Sequence, residues 1–272
     1  MPAPRLRRKG VSVLAKSNKK VLLVGETWMS SSTHFKGFDQ FGSVTFHSGA
    51  EPLMKALEGS PFDLTHMPAH EAVEKMPFDL EGLNAYDAIL LSDIGANSLL
   101  LHPDVWLRGT TVPNRLQLLK QWTQAGGGLA MIGGYFSFQG IDGKARWHRT
   151  PVEDVLPVEC LPYDDRLEIP EGFAAAIDAK SKHPVLQGLD GEWPLLLGAN
   201  EVSARQRPDV EVLARLPEDQ GGHPLLVTGE YGKGRTLVWT SDVSPHWLPA
   251  SFSDWPGYAT LWRNALGWLT RS

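Results

Sequence analysis

Residues 126–140 read GGGLAMIGGYFSFQG, and this stretch decides the fold. Gly126 to Gly128 can close one helix and admit a strand. Residues 129–132 are an apolar run of the kind buried on both faces of a parallel sheet. Gly133 and Gly134 then suit a tight turn with positive φ, which glycine adopts without steric penalty. Such turns hold phosphates or nucleophiles in many α/β proteins. The segment is not G-x-G-x-x-G and lacks the G-K-[ST] of a phosphate loop, so it matches nucleotide binding poorly. Two readings stay open: backbone N–H groups offered to an anion, or close packing of the turn against a neighbour.

Outward from this turn the same grammar repeats. KKVLLVGE (19–26) and YDAILLSD (86–93) are short apolar runs ending in an acidic residue, and FDLTHMP (62–68) reads as a further strand stopped by Pro68. EPLMKALEG (51–59) has helical spacing at Leu53, Met54 and Leu57. Residues 94–113 read as a long loop, after which Pro113 opens a helix with Leu116, Leu119 and Trp122 on one face. Alternation of strand and helix implies parallel order and right-handed crossovers. Residues 140–200 are irregular and proline-rich. Beyond them come VEVLARL (210–216), two apolar runs joined at Gly232-Lys233-Gly234, and a final helix striped by Tyr258, Leu261, Trp262, Ala265, Trp268 and Leu269. The expected organisation is a loose basic tail over 1–18 and one domain over 19–272, with 140–200 as an elaborated insertion.

Composition narrows the function classes. A net charge of −5 gives no reason to expect nucleic acid or an anionic membrane as partner. The apolar runs are too short to span a bilayer. The basic opening MPAPRLRRKG has no signal-type apolar core behind it, so a cytoplasmic location is expected. A single cysteine, Cys160, allows neither an intramolecular disulfide nor a thiolate cluster. The histidines show no ligand spacing; His66 and His70 are separated by Pro68, which breaks helical geometry. No metal or cofactor is therefore expected. Ten tryptophans suggest aromatic packing or an oligomer interface, and a homo-oligomer is expected.

Ligands of open parallel sheets bind outside the carboxyl ends of the strands. The residues just past each strand are thus the candidates: Glu26 and Trp28, Asp93 and Asn97, Gly133, Gly134 and Tyr135, and Asp242 with His246. The segment TWMSSSTHFKGFD (27–39) reads as a long polar loop, adding His34, Lys36 and Asp39 as ligand-facing groups. In SDVSPHW (241–247) an Asp stands four residues before a His, half of an acid–base device. An Asp capping a turn and a His stacked among Trp239, Trp247 and Trp255 would give the same pattern. DDRLE (164–168) reads as a solvated ion-pair loop or as paired carboxylates for a polyol.

The set KGFD, SDIGAN, PNRL, GGGLAMIGGYFSFQG, GKARW, DDRLEIPEG and SDVSPHW, spread over residues 19–271, resembles a bacterial glutamine amidotransferase-like family related to the trehalose-utilisation (ThuA-like) proteins. The resemblance implies the class I glutamine amidotransferase-like fold: three layers, flavodoxin-like, a mostly parallel α/β sheet flanked by helices, here with an irregular strand-and-loop insertion. It also implies a Cys in Gly-x-Cys-x-Gly and a His-x-Glu pair after a late strand. Laid on this chain, that pattern puts Gly133 at the nucleophile (Gly134 or Tyr135 if shifted by one or two positions, none of them a thiol), Thr240 at the His and Asp242 at the Glu, while Cys160 lies in the proline-rich insertion. The expectation is a small polar ligand, a sugar or a carboxylate, bound at the strand ends without glutaminase activity. A carbohydrate hydrolase or isomerase using Asp242 and His246, or a non-catalytic subunit, are the alternatives.

Overall fold

The computed structural model describes residues 18–272; the expected basic tail lies, but for its last residue, outside them. The first strand, β1 (Lys19–Gly25), is buried from Val21 onward. A hairpin follows, β2 (Thr27–Lys36) and β3 (Asp39–Ser48), then α1 (Glu51–Leu57) and β4 (Phe62–Met67). Helices α2 (Ala69–Lys75) and α3 (Leu80–Leu83) lead to β5 (Ala88–Ser92). Helices α4 (Ala96–Leu100), α5 (Pro103–Trp106) and α6 (Arg115–Ala125) lead to β6 (Gly128–Ile132). Five short strands come next: β7 (Val158–Cys160), β8 (Arg166–Phe173), β9 (Ala176–Ile177), β10 (Leu196–Asn200) and β11 (Val202–Ala204). The chain closes with β12 (Glu211–Arg215), β13 (Pro224–Tyr231), β14 (Gly234–Trp239), α7 (Ala250–Ser253) and α8 (Pro256–Thr270).

Eight strands form the main sheet in the order β4-β1-β5-β6-β14-β13-β12-β9. Pairing is parallel from β4 to β14 and antiparallel from β14 to β9. Two apolar cores lie on its faces. One joins Leu53 and Leu57 of α1 to Tyr258, Leu261, Trp262 and Ala265 of α8; the other joins Ala72 of α2 and Leu99 of α4 to Leu116, Leu119 and Trp122 of α6. Sheet residues point alternately into the two cores, so strands buried on both sides read as continuous apolar runs. This is the three-layer, flavodoxin-like α/β arrangement expected from the sequence.

Local chemistry explains the element ends. Asn114, rather than Pro113, caps α6, its side chain accepting the backbone N–H groups of Leu116 (3.0 Å) and Gln117 (3.2 Å). Arg115, at the first helical position, is buried and donates to the carbonyls of Leu99 (2.6 Å), Ala72 (3.2 Å) and Val73 (2.9 Å). Those carbonyls end α2 and α4, where a cation is favoured. Burial lowers its pKa to about 10, and Phe78 stacks on the guanidinium.

Two expectations change. The stretch 94–113 is not a plain loop but contains α4 and α5. The polar loop read over 27–39 is the first part of the β2–β3 hairpin. Gly37, at φ +64°, opens its two-residue turn, and alternating aromatic and hydroxyl side chains suit a ribbon better than a loop. Of the two readings of the tryptophans, interior packing fits Trp122, Trp147, Trp193, Trp239, Trp247 and Trp262, which are buried, while Trp28 and Trp106 are exposed. The stretch 140–200 is the expected mixture of loops and short strands, and its β9 also forms the edge of the main sheet.

Candidate functional site

The carboxyl ends of β1, β5, β6 and β14 bring together Glu26, Asp93, the 133–140 turn and Asp242. Glu26 (φ 54°) and Asp93 (φ 44°) both adopt the left-handed conformation, unusual for residues with a Cβ. Such strain, on the order of 1–3 kcal/mol per residue, persists where the surroundings over-determine the backbone. Glu26 lies beneath the surface. Its carboxyl accepts the Ser92 hydroxyl (2.5 Å) and the Ser244 hydroxyl (3.1 Å), and Gly49 packs directly on it because no Cβ intervenes. Burial, reinforced by Asp93, pushes its pKa up to about 8, so the group holds a proton at neutral pH. Glu26 therefore supports the site from below and does not face outward.

The glycine turn is wrapped around the chain's own carboxylates and amides. Gly133 N–H donates to the Trp239 carbonyl (2.7 Å), Gly134 N–H to Asn200 Oδ1 (3.0 Å) and Phe136 N–H to Asp93 Oδ1 (2.7 Å). Gln139 and Gly140 N–H donate to Asp165 at 2.7 and 2.9 Å. Donors that could have held an anion are thus already engaged, and the close-packing reading of the turn is the one its geometry fits. A Cβ on Gly133 would collide with the Thr240 carbonyl, and one on Gly134 (φ +134°) with the Asp93 carboxylate. Burial raises Asp93 and Asp165 to about 6 each, against the lowering effect of these N–H donors.

Above this floor stands the second group. Asp242 Oδ2 accepts both His246 Nδ1 (2.9 Å) and the backbone N–H of Trp247 (2.8 Å). The His246 side chain is 43% exposed, whereas that of Asp242 is 9% exposed. Partial burial lowers the His246 pKa, but the hydrogen bond and charge of Asp242, with Glu168 and Asp93, outweigh it and the net direction is upward. Tyr135 packs edge-on against His246 (centroids 4.4 Å apart) and against Trp247 (5.7 Å). Arg166 lies over the Tyr135 ring at 5.1 Å, and Trp247 Nε1 donates to Glu168 (2.9 Å).

The remaining sequence candidates are placed elsewhere. Trp28 stacks on His47 at the root of the hairpin. His34 bonds Ser43 (2.9 Å) and stacks on Phe41, while Lys36 pairs in register with Asp39 at the tip. Eight residues of extended strand from Trp28 to Lys36 span roughly 27 Å. His34, Lys36 and Asp39 are thus carried away from the strand ends of their own chain. Asn97 lines a separate depression of about 480 Å³ with Gln139, Arg146 and His148.

Sequence reasoning missed Asn200, and it offered Asp165 and Glu168 only within DDRLE, as an ion-pair loop or as paired carboxylates for a polyol. Asn200 donates to Asp165 (2.8 Å) and brackets Gly134 from both sides of the peptide. All three belong to the irregular stretch 140–200, where the short strands β8 and β10 lack the continuous apolar runs that mark the parallel strands. DDRLE carried a signal: Asp164 pairs with Arg166 as read, and this pairing holds its carboxyl well below the usual range, but Asp165 turns inward. Cys160 is buried in β7, and burial beside Glu153 raises its pKa well above the ordinary thiol value.

The eight-stranded sheet with an acidic cluster at its strand ends and a glycine turn after β6 makes this a flavodoxin-like α/β protein. The chain belongs to the family described as "Putative glutamine amidotransferase", which matches residues 20–271. It is similar to two cytoplasmic proteins of known structure from Salmonella typhimurium. The first is 40% identical with a TM-score of 0.85, covering 92% of this chain and 98% of that one. The second, from strain LT2, is 42% identical with a TM-score of 0.85, covering 92% and 99%. A ThuA-like protein from Bacteroides uniformis shares the fold at 16% identity and a TM-score of 0.55, covering 99% and 95%. No curated protein matches the chain. Among the described residues no helix is long and apolar enough to cross a membrane.

Proposed function

We propose that this protein binds a small, uncharged, hydroxyl-rich molecule of the sugar or polyol class at the carboxyl ends of its parallel strands, without cysteine-dependent glutamine hydrolysis. The observation that carries this is the exposed His246 held on buried Asp242 between the rings of Tyr135 and Trp247. Aromatic faces beside carboxylates and an imidazole suit a ring with hydroxyls on its edge and C–H groups on its face. The local charge argues against an anionic ligand. Asp93, Asp242 and Glu168 surround the position, and the nearby cation Arg166 is already paired with Asp164 at 2.8 Å.

Loss of amidotransfer rests on space as well as on residue identity. The position matching the nucleophile, Gly133, has no room for a Cβ, and the sole thiol lies buried and protonated in β7. A second reading is favoured by one detail: Asp242 fixes His246 with Nδ1 as donor, and Nε2 has no partner among the described residues. This arrangement can exchange a proton with a ligand hydroxyl, so an acid–base step on the bound carbohydrate is the alternative to binding alone. A cytoplasmic location fits the two Salmonella relatives.

Thermal-shift and calorimetric titration with neutral sugars and polyols, alongside glutamine and citrate, tests the reading, because binding to the folded state raises Tm. A neutral hydroxylated compound should raise the wild-type Tm, fail to raise that of Tyr135→Ala, and leave ammonia release from glutamine at background. Stabilisation confined to glutamine or to the organic anion would overturn it.

A further inference from the structure

The β2–β3 ribbon carries an apolar face that the described chain leaves bare. Its ten cross-strand pairs run in unbroken register from Thr27 opposite Ser48 to Lys36 opposite Asp39. Opposed residues share a face and successive pairs alternate, so the ribbon has two distinct sides. One side bears the stacks Trp28 on His47 and His34 on Phe41, with hydroxyl residues between them. The other bears Met29 beside Phe46, then Val44, then Phe35. These four are 64%, 50%, 62% and 73% exposed, and Phe38 at the turn is fully exposed. Only the root is supported, where Phe46 meets His70 of α2 edge-on at 5.5 Å.

A two-stranded hairpin is marginal in water by itself, and contiguous exposed apolar surface of this kind marks an interaction site. We propose that this face is a self-association surface, on which the ribbon packs Met29, Phe35, Val44 and Phe46 against a second copy of the chain. Three observations point to a copy rather than another partner. First, at about 150–250 Å² per aromatic side chain, Met29, Phe35, Val44 and Phe46 with Phe38 at the turn expose on the order of 700 Å², approaching the roughly 800 Å² per partner of a stable interface. Second, the ribbon is formally neutral, with Lys36 and Asp39 paired in register at its tip. It offers no field to select a nucleic acid or an anionic membrane. Third, a self-complementary apolar face can meet its own copy about a two-fold axis, the commonest closed symmetry. The surface is distinct from the strand-end site, so it stands or falls independently of the ligand.

Sedimentation velocity on the full chain, from about 1 to 100 μM, reads the assembly directly. The wild type should sediment as a dimer, and the triple variant Phe35→Ser, Val44→Thr, Phe46→Ser as a monomer with an unchanged far-ultraviolet spectrum. A monomeric wild type, or a folded triple variant that remains dimeric, overturns the proposal. Thiol labelling of conservative single variants gives a readout that does not depend on the triple variant folding. Cys160 is 3% exposed and should stay silent. Thr33→Cys, on the apolar face, should label at least tenfold more slowly than Ser32→Cys on the opposite face, and the difference should vanish on dilution into monomer. Equal labelling at high concentration overturns the proposal.

Discussion

Asp242 Oδ2 accepts two hydrogen bonds at once, from His246 Nδ1 at 2.9 Å and from the Trp247 backbone at 2.8 Å. The backbone bond fixes the carboxylate, and the carboxylate fixes the imidazole. Asp242→Asn should therefore remove the largest upward influence on His246 and let burial dominate. The imidazole pKa, followed by NMR titration of the ring protons, should fall below its wild-type value. An unchanged titration midpoint would show that Asp242 does not control the histidine.

Glu26 links folding to pH. Its folded pKa of about 8 stands above the unfolded value, so its contribution is fully present below about pH 4 and is lost as pH rises through 8. Asp93 and Asp165, each near 6, act in the same direction over a lower window. Tm should accordingly decline from pH 5 to pH 8.5. Glu26→Gln keeps the shape without the ionisation, so it should flatten this decline by an amount on the order of a few kcal/mol at the alkaline end. Parallel curves for wild type and variant would contradict the assignment.

Restoring a thiol at the glycine turn should fail. In Gly133→Cys the new Cβ meets the Thr240 carbonyl, which is buried just past β14 and accepts the Asn200 N–H (2.8 Å). The variant should lose several degrees of Tm and still release no ammonia from glutamine, whereas a surface change such as Ser32→Ala should leave Tm within about a degree. Glutaminase activity in Gly133→Cys would show that the turn can open to admit a nucleophile.

Arg115 should be a stability residue. Arg115→Met preserves the aliphatic bulk but leaves the carbonyls of Leu99 and Val73 without their donor, while Ala72 keeps the N–H of Met76 (3.3 Å). Orphaned buried acceptors cost about 1–3 kcal/mol each, less where water enters, so a loss of roughly 3 kcal/mol is expected in urea unfolding. A loss under about 1 kcal/mol would mean that water replaces the guanidinium without difficulty.

The sequence by itself determined the sheet. Runs such as VLLV (21–24), AILL (88–91) and LAMI (129–132) are apolar at every position, and only strands covered on both faces bury such runs. It also marked Asp93 and Asp242 as strand-end acids. The tertiary structure decided everything that depends on who meets whom. Only folding shows that Asp165 and Asn200, 25 to 66 residues from their partners in the glycine turn, occupy its N–H groups. Only folding shows that Glu26 points inward beneath Ser92 and Ser244. The hairpin at 27–48 was missed because its alternation buries neither face in this chain, so hydrophobicity carried no core signal there. Periodicity along a chain reports burial against the nearest layer. Pairing between distant loops depends on the path the whole chain takes, and no local pattern encodes it.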